Sequence, residues 1–233
     1  MKKTLLATSL LALALAAPLA QAHKAGDIII RAGAATVDPQ EDSSTLNVSP
    51  LGKVGGTSAG VDSDTQLGLT GTYMLTDHVG IELLAATPFQ HTVSVKGLNS
   101  ALGMSGLDGK LADIKHLPPT LSVQYYPLAP ESRLQPYVGA GLNYTLFFDE
   151  DLTSERKGQG FSDLELDDSM GLALQAGVDY MLTDNILVNA AVWYIDIDTT
   201  ATVDGPAALG ATRTKVDVDI DPWVYMVGLG YKF

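Results

Sequence analysis

The sequence predicts an all-β protein, an eight-stranded antiparallel transmembrane β-barrel with short periplasmic turns and long extracellular loops. Three observations predict it: an export signal starts the chain, eight segments alternate between apolar and polar residues, and the connections between them alternate in length. Bacterial barrels have even strand numbers, and their membrane signal is spread over many short alternating segments. After the export signal, the sequence has no run of about 18 apolar residues such as a membrane-spanning helix needs.

The first 22 residues have the pattern of a secretory signal peptide. Lys2 and Lys3 precede a Leu/Ala-rich run over Leu5–Leu19, and Ala20-Gln21-Ala22 is a small-x-small cleavage site. We therefore expect residues 1–22 to be removed and residues 23–233 to form a single outer-membrane barrel domain. Twelve Lys and Arg residues then remain against 27 Asp and Glu, which argues against nucleic acid as a partner. The absence of cysteine excludes a disulfide framework.

Eight strands and two kinds of connection follow along the chain. The predicted strands are Asp27–Val37, Thr65–Met74, Gly80–Val95, Lys110–Tyr126, Gln135–Phe148, Asp163–Met181, Ile186–Val203 and Thr212–Phe233. The short connections, predicted to be periplasmic turns, are Leu75–Val79, Pro127–Leu134 and Leu182–Asn185. The long connections are rich in Gly, Ser, Asp and Pro, as exposed loops are: Asp38–Asp64, Lys96–Gly109, Asp149–Ser162 and Asp204–Ala211. The alternative fold is a secreted β-sandwich, which would also alternate.

The last strand ends in the pattern Trp-x-Tyr-x-Val-x-Leu-x-Tyr-x-Phe, with its large apolar residues on one face. We expect that face to contact lipid, with Tyr231 and Phe233 in the periplasmic aromatic girdle. Gly228, Tyr231 and Phe233 also resemble the C-terminal signal by which the outer-membrane assembly machinery recognises its substrates. Met226 stands where that pattern usually has a polar residue.

The inward faces of the strands carry polar residues at one common depth. When the lipid face of each strand is assigned from its apolar parity, these residues point inward near the periplasmic turns: Arg31, Glu82, Gln124, Asp179, Asn189 and Lys232. An eight-stranded barrel is narrow enough for side chains to fill it. We interpret this set, the polar plug, as a structural closure in which Arg31 or Lys232 pairs with Glu82 or Asp179; the alternative is a selectivity filter.

Above that depth the pattern reverses. On the last two strands the acidic residues share the outward parity, whereas Trp193, Ile195, Ile197, Val216, Val218 and Ile220 point inward. We interpret these six as an apolar upper lumen suited to a hydrophobic ligand; the alternative is that they only pack together beneath the loops. Leu164 and Leu166 break the pattern, and a bulge near Asp167 would restore it.

The outward acidic residues are interpreted as a solvated face rather than a metal site: Asp196, Asp198, Asp217, Asp219 and Asp221. The alternative is that they bridge divalent cations to lipopolysaccharide.

Prolines interrupt the third and fourth strands. Because proline cannot donate to a ladder, Pro88 and the pair Pro118-Pro119 predict either bulges or a local opening of the wall. An opening would connect the upper lumen sideways to the membrane. Its candidate lining is Leu84, Ala86, Pro88, Phe89, Leu117, Pro118 and Pro119.

Catalysis is not predicted. The four histidines are His23, His78, His91 and His116, and a triad could be drawn from His91 and His116 with Ser94 or Ser122, but nothing in the spacing favours it. We predict no catalytic residue, no cofactor and no metal.

Several stretches resemble the outer-membrane protein W family, the OmpW/AlkL/OprG group, and most of all its OprG members in pseudomonads. These stretches are His23–Asp27, Val61–Thr70, Leu111–Lys115, Leu117–Leu121, Phe147–Asp151 and Val216–Tyr225, and together they span nearly all of the chain after the signal. The resemblance implies an eight-stranded barrel with an apolar interior that admits small hydrophobic compounds and releases them sideways through the wall.

The resulting hypothesis is an outer-membrane channel for small hydrophobic molecules, using the upper lumen and a lateral opening between strands 3 and 4. Its expected partners are outer-membrane lipids, lipopolysaccharide, the hydrophobic substrate and the assembly machinery. The alternatives are a narrow porin for small polar solutes such as amino acids and a non-transporting structural or surface-recognition barrel.

Overall fold

The computed structural model describes residues 22–40, 42–43, 47–48, 52–103, 105–205 and 213–233. The predicted signal peptide, residues 1–22, lies outside the described residues except for Ala22. The predicted loops Asp38–Asp64 and Asp204–Ala211 are described in part.

The described residues are dominated by strands, as predicted. In chain order they are β1 (Ile28–Asp38), β2 (Asp42–Ser43), β3 (Asn47–Val48), β4 (Gly52–Lys53), β5 (Ser58–Val61), β6 (Asp64–Met74), β7 (Val79–Ala86), β8 (Phe89–Lys96), β9 (Gly109–Leu117), β10 (Thr120–Tyr125), β11 (Leu134–Leu152), β12 (Ser162–Leu166), β13 (Ser169–Met181), β14 (Ile186–Ile195), β15 (Asp198–Asp204), β16 (Arg213–Asp219) and β17 (Trp223–Lys232). Among the described residues, two short helices, Leu98–Leu102 and Ser154–Gly158, lie in the extracellular connections.

Eight of these strands form a closed antiparallel ring. Its order is β1, β6, β7, β10, β11, β13, β14 and β17, and β17 pairs with β1 to close it. Hydrocarbon offers no hydrogen-bond partner, so every backbone amide within it must pair inside the sheet, and a closed ring leaves no free edge. The predicted eight-stranded barrel is confirmed.

The outer face of the ring is apolar. Along β17, for example, Tyr225, Val227 and Leu229 are exposed while their neighbours Val224 and Met226 are buried in the interior. Aromatic pairs lie at both ends of this strand: Tyr194 beside Trp223 at the outer end, and Tyr231 beside Phe233 at the periplasmic end. This is the lipid-facing band with two aromatic girdles that transmembrane barrels carry.

Above the ring the wall separates into two sheets. One contains β5, β8, β9 and the upper part of β11; the other contains β12, β15, β16, β3 and β4, with β2 also paired to β16. Five of the eight predicted strands are therefore split into two, a feature that the apolar alternation did not reveal. The five interruptions fall at Pro88, Pro118-Pro119, Asp167-Asp168, Asp196-Ile197 and Ile220–Pro222. In the last of these, Asp221 has a positive φ of 37°.

One extracellular connection is held by a buried arginine. Arg156, on the helix Ser154–Gly158, donates to the carbonyl oxygens of Gly106 (2.7 Å), Asp108 (3.0 Å) and Lys110 (3.2 Å). These bonds satisfy carbonyls of the loop before β9 and of Lys110 near the start of β9, and they join this region to the segment after β11.

None of the helices among the described residues is long and apolar enough to cross a membrane.

Replacement of Gly33 with alanine should lower the free energy of unfolding by about 1–3 kcal/mol, the usual cost of overpacking. Gly33 is paired with Gly228 across the closing seam, and an added Cβ would collide with the carbonyl oxygen of Val227 and the Cα of Gly228. Urea unfolding in phospholipid vesicles measures the change. Gly71→Ala is the matched control, because its Cβ would meet only Ile30 Cδ1 at an ordinary 3.5 Å; equal losses at both positions would contradict the prediction.

Candidate functional site

Arg31 is the centre of the polar plug. Its guanidinium is fully buried and donates to Asp179 in a bidentate pair, with 2.9 Å from Nε to Oδ1. It also donates to Thr72 Oγ1 (2.7 Å), to Glu82 Oε2 (3.2 Å) and to the hydroxyl of Tyr126 (3.1 Å). Arg31 is ion-paired with both buried carboxylates, most closely with Asp179, and a desolvated charge requires such partners.

Further buried groups complete the plug around Asp179. Asn189 donates to Asp179 Oδ1 (2.8 Å) and to the hydroxyl of Tyr137 (3.0 Å), and His23 Nε2 lies 2.9 Å from Asp179 Oδ2. Gln124 accepts from Tyr126 (2.8 Å) and donates to Gln175 (3.2 Å). The side chains therefore bridge the lumen from several strands and close its periplasmic half.

The structure distinguishes the two cations considered for the plug and adds residues to it. Of the two predicted cations, Arg31 pairs with Glu82 and Asp179, whereas Lys232 lies 3.8 Å from Asp27, nearer the periplasmic end. The sequence reasoning missed His23, Tyr126 and Tyr137, although Tyr126 shares the inward parity of Gln124 and could have been found that way.

In the part of the chain that the structure describes, apolar cavities lie above the plug at three heights. The upper cavity, of about 60 Å³, lies between the two extracellular sheets, with Val61, Val93 and Ile114 on one side and Val216, Val218 and Ile220 on the other. The middle cavity, of about 10 Å³, shares Val61, Ile114 and Ile220 with it and is also lined by His91, His116, Phe147 and Ile197. The lower cavity, also of about 10 Å³, is lined by Ala35, Leu84, Ala85, Ala86, Phe89, Pro118, Ile195 and Val224.

The six predicted lumen residues are all buried, with 7 % exposure or less, but they lie at different heights. Val216 and Val218 line the upper cavity, Ile220 the upper and middle ones, Ile197 the middle one and Ile195 the lower one. Trp193 lines none of the three cavities and is paired with Gln175 of the plug. Leu164 and Leu166 also line the upper cavity, because the interruption at Asp167-Asp168 reverses the face of the strand.

The ladder between the third and fourth wall strands is interrupted above the plug. Its last lower rung joins Leu84 to Thr120, and its first upper rung joins Phe89 to His116. Residues 85–88 and 117–119 between these rungs have no partner across the gap among the described pairings. We call this interval the lateral gap.

Each rim of the lateral gap is bonded to its other neighbour. Thr87 N donates to Leu67 O (2.9 Å), and Pro119 O accepts from Tyr144 N (3.0 Å). The prolines lie on different faces of the wall: Pro118 is buried against the lower cavity, whereas Pro88 is exposed on the outer surface. Leu117 and Pro119 are half-buried and do not line the lower cavity, and Leu117 pairs with Leu146.

His91 and His116 meet in the middle of the lumen. Their Nε2 atoms are 3.0 Å apart, both side chains are buried, and the His116 ring stacks between Phe89 (5.4 Å) and Phe147 (5.8 Å). The outer face beside them is polar, with Lys115 bonded to Asp149 at 3.0 Å, so this rung lies outside the hydrocarbon. Burial, and then the neighbouring His91 ring, lower the pKa of His116 to about 3, so His116 is neutral at physiological pH.

The two serines considered for a triad do not join these histidines. Ser122 lies on a plug rung opposite Glu82, and Ser94 is paired with Lys110 further up the extracellular sheet. The ring nitrogens of His91 are bonded to Asp62 O and His116 instead.

Acidic residues approach one another on the outer rim. The carboxylates of Asp196, Asp198 and Asp221 come within 4.8 Å, closer than the spacing along one strand suggested, because two strands contribute. Burial, followed by repulsion from Asp196, Asp219 and Asp221, raises the pKa of Asp198. Three half-exposed or exposed carboxylates do not by themselves define a metal site, and we assign none.

The residues of the predicted assembly signal lie at the end of β17. Tyr231 and Phe233 are exposed on the outer face with ring centroids 4.7 Å apart, and Phe233 N donates to Ile28 O (2.8 Å) across the closing seam. Gly228 faces Gly33 inside.

A closed eight-stranded ring with an apolar outer band and two aromatic girdles defines the class: this is an outer-membrane β-barrel protein. The sequence profile of the OmpW family matches residues 24–233, so the chain belongs to that family. It is 47 % identical to outer membrane protein W of Vibrio cholerae over all of both chains, and 47 % identical to outer membrane protein W of Escherichia coli over 91 % of each. The crystal structure of OprG from Pseudomonas aeruginosa is 62 % identical and superposes with a TM-score of 0.86, over 91 % of this chain and 98 % of that one. The suspected relationship is confirmed.

Proposed function

We propose that this barrel takes up small hydrophobic molecules through the apolar upper lumen and releases them into the membrane through the lateral gap. The observation that carries the proposal is the order of features along the wall. On β7 the inward residues run from Glu82 in the plug to Leu84 and Ala86 beside the lateral gap, and the apolar cavities continue above. A molecule that enters from outside meets apolar walls, then a closed polar floor, and beside that floor an interrupted ladder.

The cavities are small compared with a substrate. A volume of about 10 Å³ is close to the space of a single water molecule. Passage therefore requires side chains along the route to move, and Phe89, Leu84 and Ile195 are the largest ones at the lower cavity. The apolar residues that would line the enlarged route bind hydrocarbon surface and offer little to a hydrated solute.

The arrangement disfavours the polar-porin alternative. A water-filled path from end to end would have to break the Arg31–Asp179 ion pair and the bonds around it, at a cost of several kcal/mol.

We assign no catalytic residue and no cofactor. Lipopolysaccharide around the acidic rim, and the assembly machinery at Tyr231 and Phe233, are the partners we propose besides the membrane lipids.

Reconstitution tests the route directly. In vesicles with lipopolysaccharide in the outer leaflet, the protein should speed the transfer of a hydrophobic fluorescent probe into the bilayer, without filling the vesicle interior. Pro118→Val together with Pro119→Val restores two amide donors to the gap rim and should slow the transfer several-fold. Pro127→Val, in a periplasmic turn, is the matched control and should leave it unchanged.

The same vesicles test the alternatives. Swelling in isotonic glycine, without probe transfer, would contradict the proposal in favour of a polar porin. Neither swelling nor transfer would favour a non-transporting barrel.

A further inference from the structure

We propose that the His91–His116 pair is a polar recognition site inside the apolar lumen, which accepts the hydrogen-bond donor of an amphipathic small molecule such as a phenol or a short alcohol. This inference rests on the proposed function and specifies its substrate class. Three observations support it: the position of the pair between the upper cavity and the lateral gap, the positions of the protons on the two rings, and a ring nitrogen of His116 without a hydrogen-bond partner among the described residues.

The pair lies between the upper cavity and the lateral gap. His91 and His116 line the middle cavity, and His116 forms the first rung above the gap with Phe89, which lines the lower cavity. A molecule that moves from the upper lumen to the gap passes these two rings.

The hydrogen bonds fix the proton positions in the neutral pair. A carbonyl oxygen only accepts, so the bond between His91 Nδ1 and Asp62 O places a proton on His91 Nδ1. His91 Nε2 is then an acceptor, and His116 Nε2, 3.0 Å away, donates to it. The remaining nitrogen, His116 Nδ1, carries a lone pair and accepts.

That acceptor is unsatisfied. Within the ranges that the structure describes, His116 Nδ1 has no hydrogen-bond partner, although the side chain is only 4 % exposed. The stacked rings of Phe89 and Phe147 on either side oppose rotation of His116 toward another donor. A buried acceptor without a partner is costly, so a ligand that donates to it gains binding free energy.

The surroundings define the chemistry of that ligand. Around the pair the middle cavity is lined by apolar side chains, among them Ile114, Phe147 and Ile197, which fit an apolar skeleton. One acceptor matches one O–H or N–H group. A pure hydrocarbon leaves the acceptor unsatisfied, and an ionised carboxylate, which only accepts, is repelled.

Two nearly isosteric ligands test the inference at pH 8, where an ordinary histidine is neutral. p-Cresol carries a hydroxyl where p-xylene carries a methyl group. In purified protein in lipid nanodiscs, His116→Phe should weaken the binding of p-cresol about fivefold, as loss of one hydrogen bond predicts, and leave that of p-xylene unchanged. His116→Gln, which keeps an acceptor, should restore part of the affinity, and His78→Phe in a periplasmic turn should have no effect.

A spectroscopic readout separates recognition from a structural role. In ¹⁵N-histidine-labelled protein, p-cresol should shift the Nδ1 resonance of His116, and p-xylene should not. If p-xylene binds and His116→Phe changes the two affinities equally, the inference is wrong and the proposed function stands. If p-cresol binds, p-xylene does not, and His116→Phe weakens the binding of p-cresol, the inference is supported and passage of pure hydrocarbons is contradicted. If neither ligand binds, both the inference and the proposed function are wrong.

Discussion

Asp179→Ala should lower the free energy of unfolding by about 3–5 kcal/mol, the usual cost of removing one partner from a buried ion pair. Asp179 accepts from Arg31, Asn189 and His23, and its side chain is fully buried. Its loss leaves the Arg31 guanidinium with Glu82 as its one remaining carboxylate among the described residues, in surroundings that water does not reach. Urea unfolding in phospholipid vesicles, followed by tryptophan fluorescence, measures the change.

Asp149→Asn is the control for that experiment, because it removes the charge and keeps a residue type that tolerates the positive φ of 52° at this position. Asp149 also bonds a cation, Lys115 at 3.0 Å, but both side chains are substantially exposed. An exposed pair contributes about 0–1 kcal/mol. If the two variants lost equal stability, the plug would not be the structural closure that we describe.

Ile220→Asp should reduce probe transfer at least about tenfold, because a charge held in an apolar cavity costs several kcal/mol unless water or a partner accompanies it. Ile220 lines both the upper and the middle cavity, so every molecule on the proposed route passes it. A carboxylate there draws water into an otherwise apolar part of the lumen. The measurement is the rate of probe transfer in reconstituted vesicles.

Asp219→Asn controls for that variant. Asp219 is adjacent in the chain but exposed on the opposite face of β16. Transfer should continue at the wild-type rate, and far-UV circular dichroism should show that both variants fold. Unimpaired transfer in folded Ile220→Asp would place the route outside the upper lumen.

Strand parity explains how much of this architecture the sequence could predict. Side chains alternate with a period of two, so the inward position of Trp193, Ile195 and Val218 follows from local sequence once one apolar face is assigned to lipid. Closure into an even-numbered ring follows from the need to pair every amide. These properties need no knowledge of which strand stands next to which.

Pairing between distant residues could not be predicted in the same way. Whether Lys232 meets Asp27 or Glu82 depends on the stagger between strands, which parity does not specify. His23 comes from the segment before β1, so no strand pattern indicates that it reaches Asp179. The approach of Asp196 and Asp198 to Asp221 likewise depends on how two interrupted strands bend.

The interruptions themselves were only partly visible in the sequence. The prolines of the third and fourth predicted strands indicated the lateral gap, because proline has no amide N–H to donate to a ladder. The interruption at Asp196-Ile197 carries no proline or glycine, and the alternation continues through it. Such a place is seen only when the neighbouring strands are known.

The separation of the wall into two extracellular sheets has a mechanical consequence. A closed ring has a fixed circumference, so the lower barrel can widen only by breaking ladder bonds. In the described pairings no ladder joins β11 to β12, so backbone hydrogen bonds do not fix the separation of the two sheets there. Substitutions among the residues that line the upper cavity can therefore change its volume without breaking the ladders that hold the ring in the bilayer.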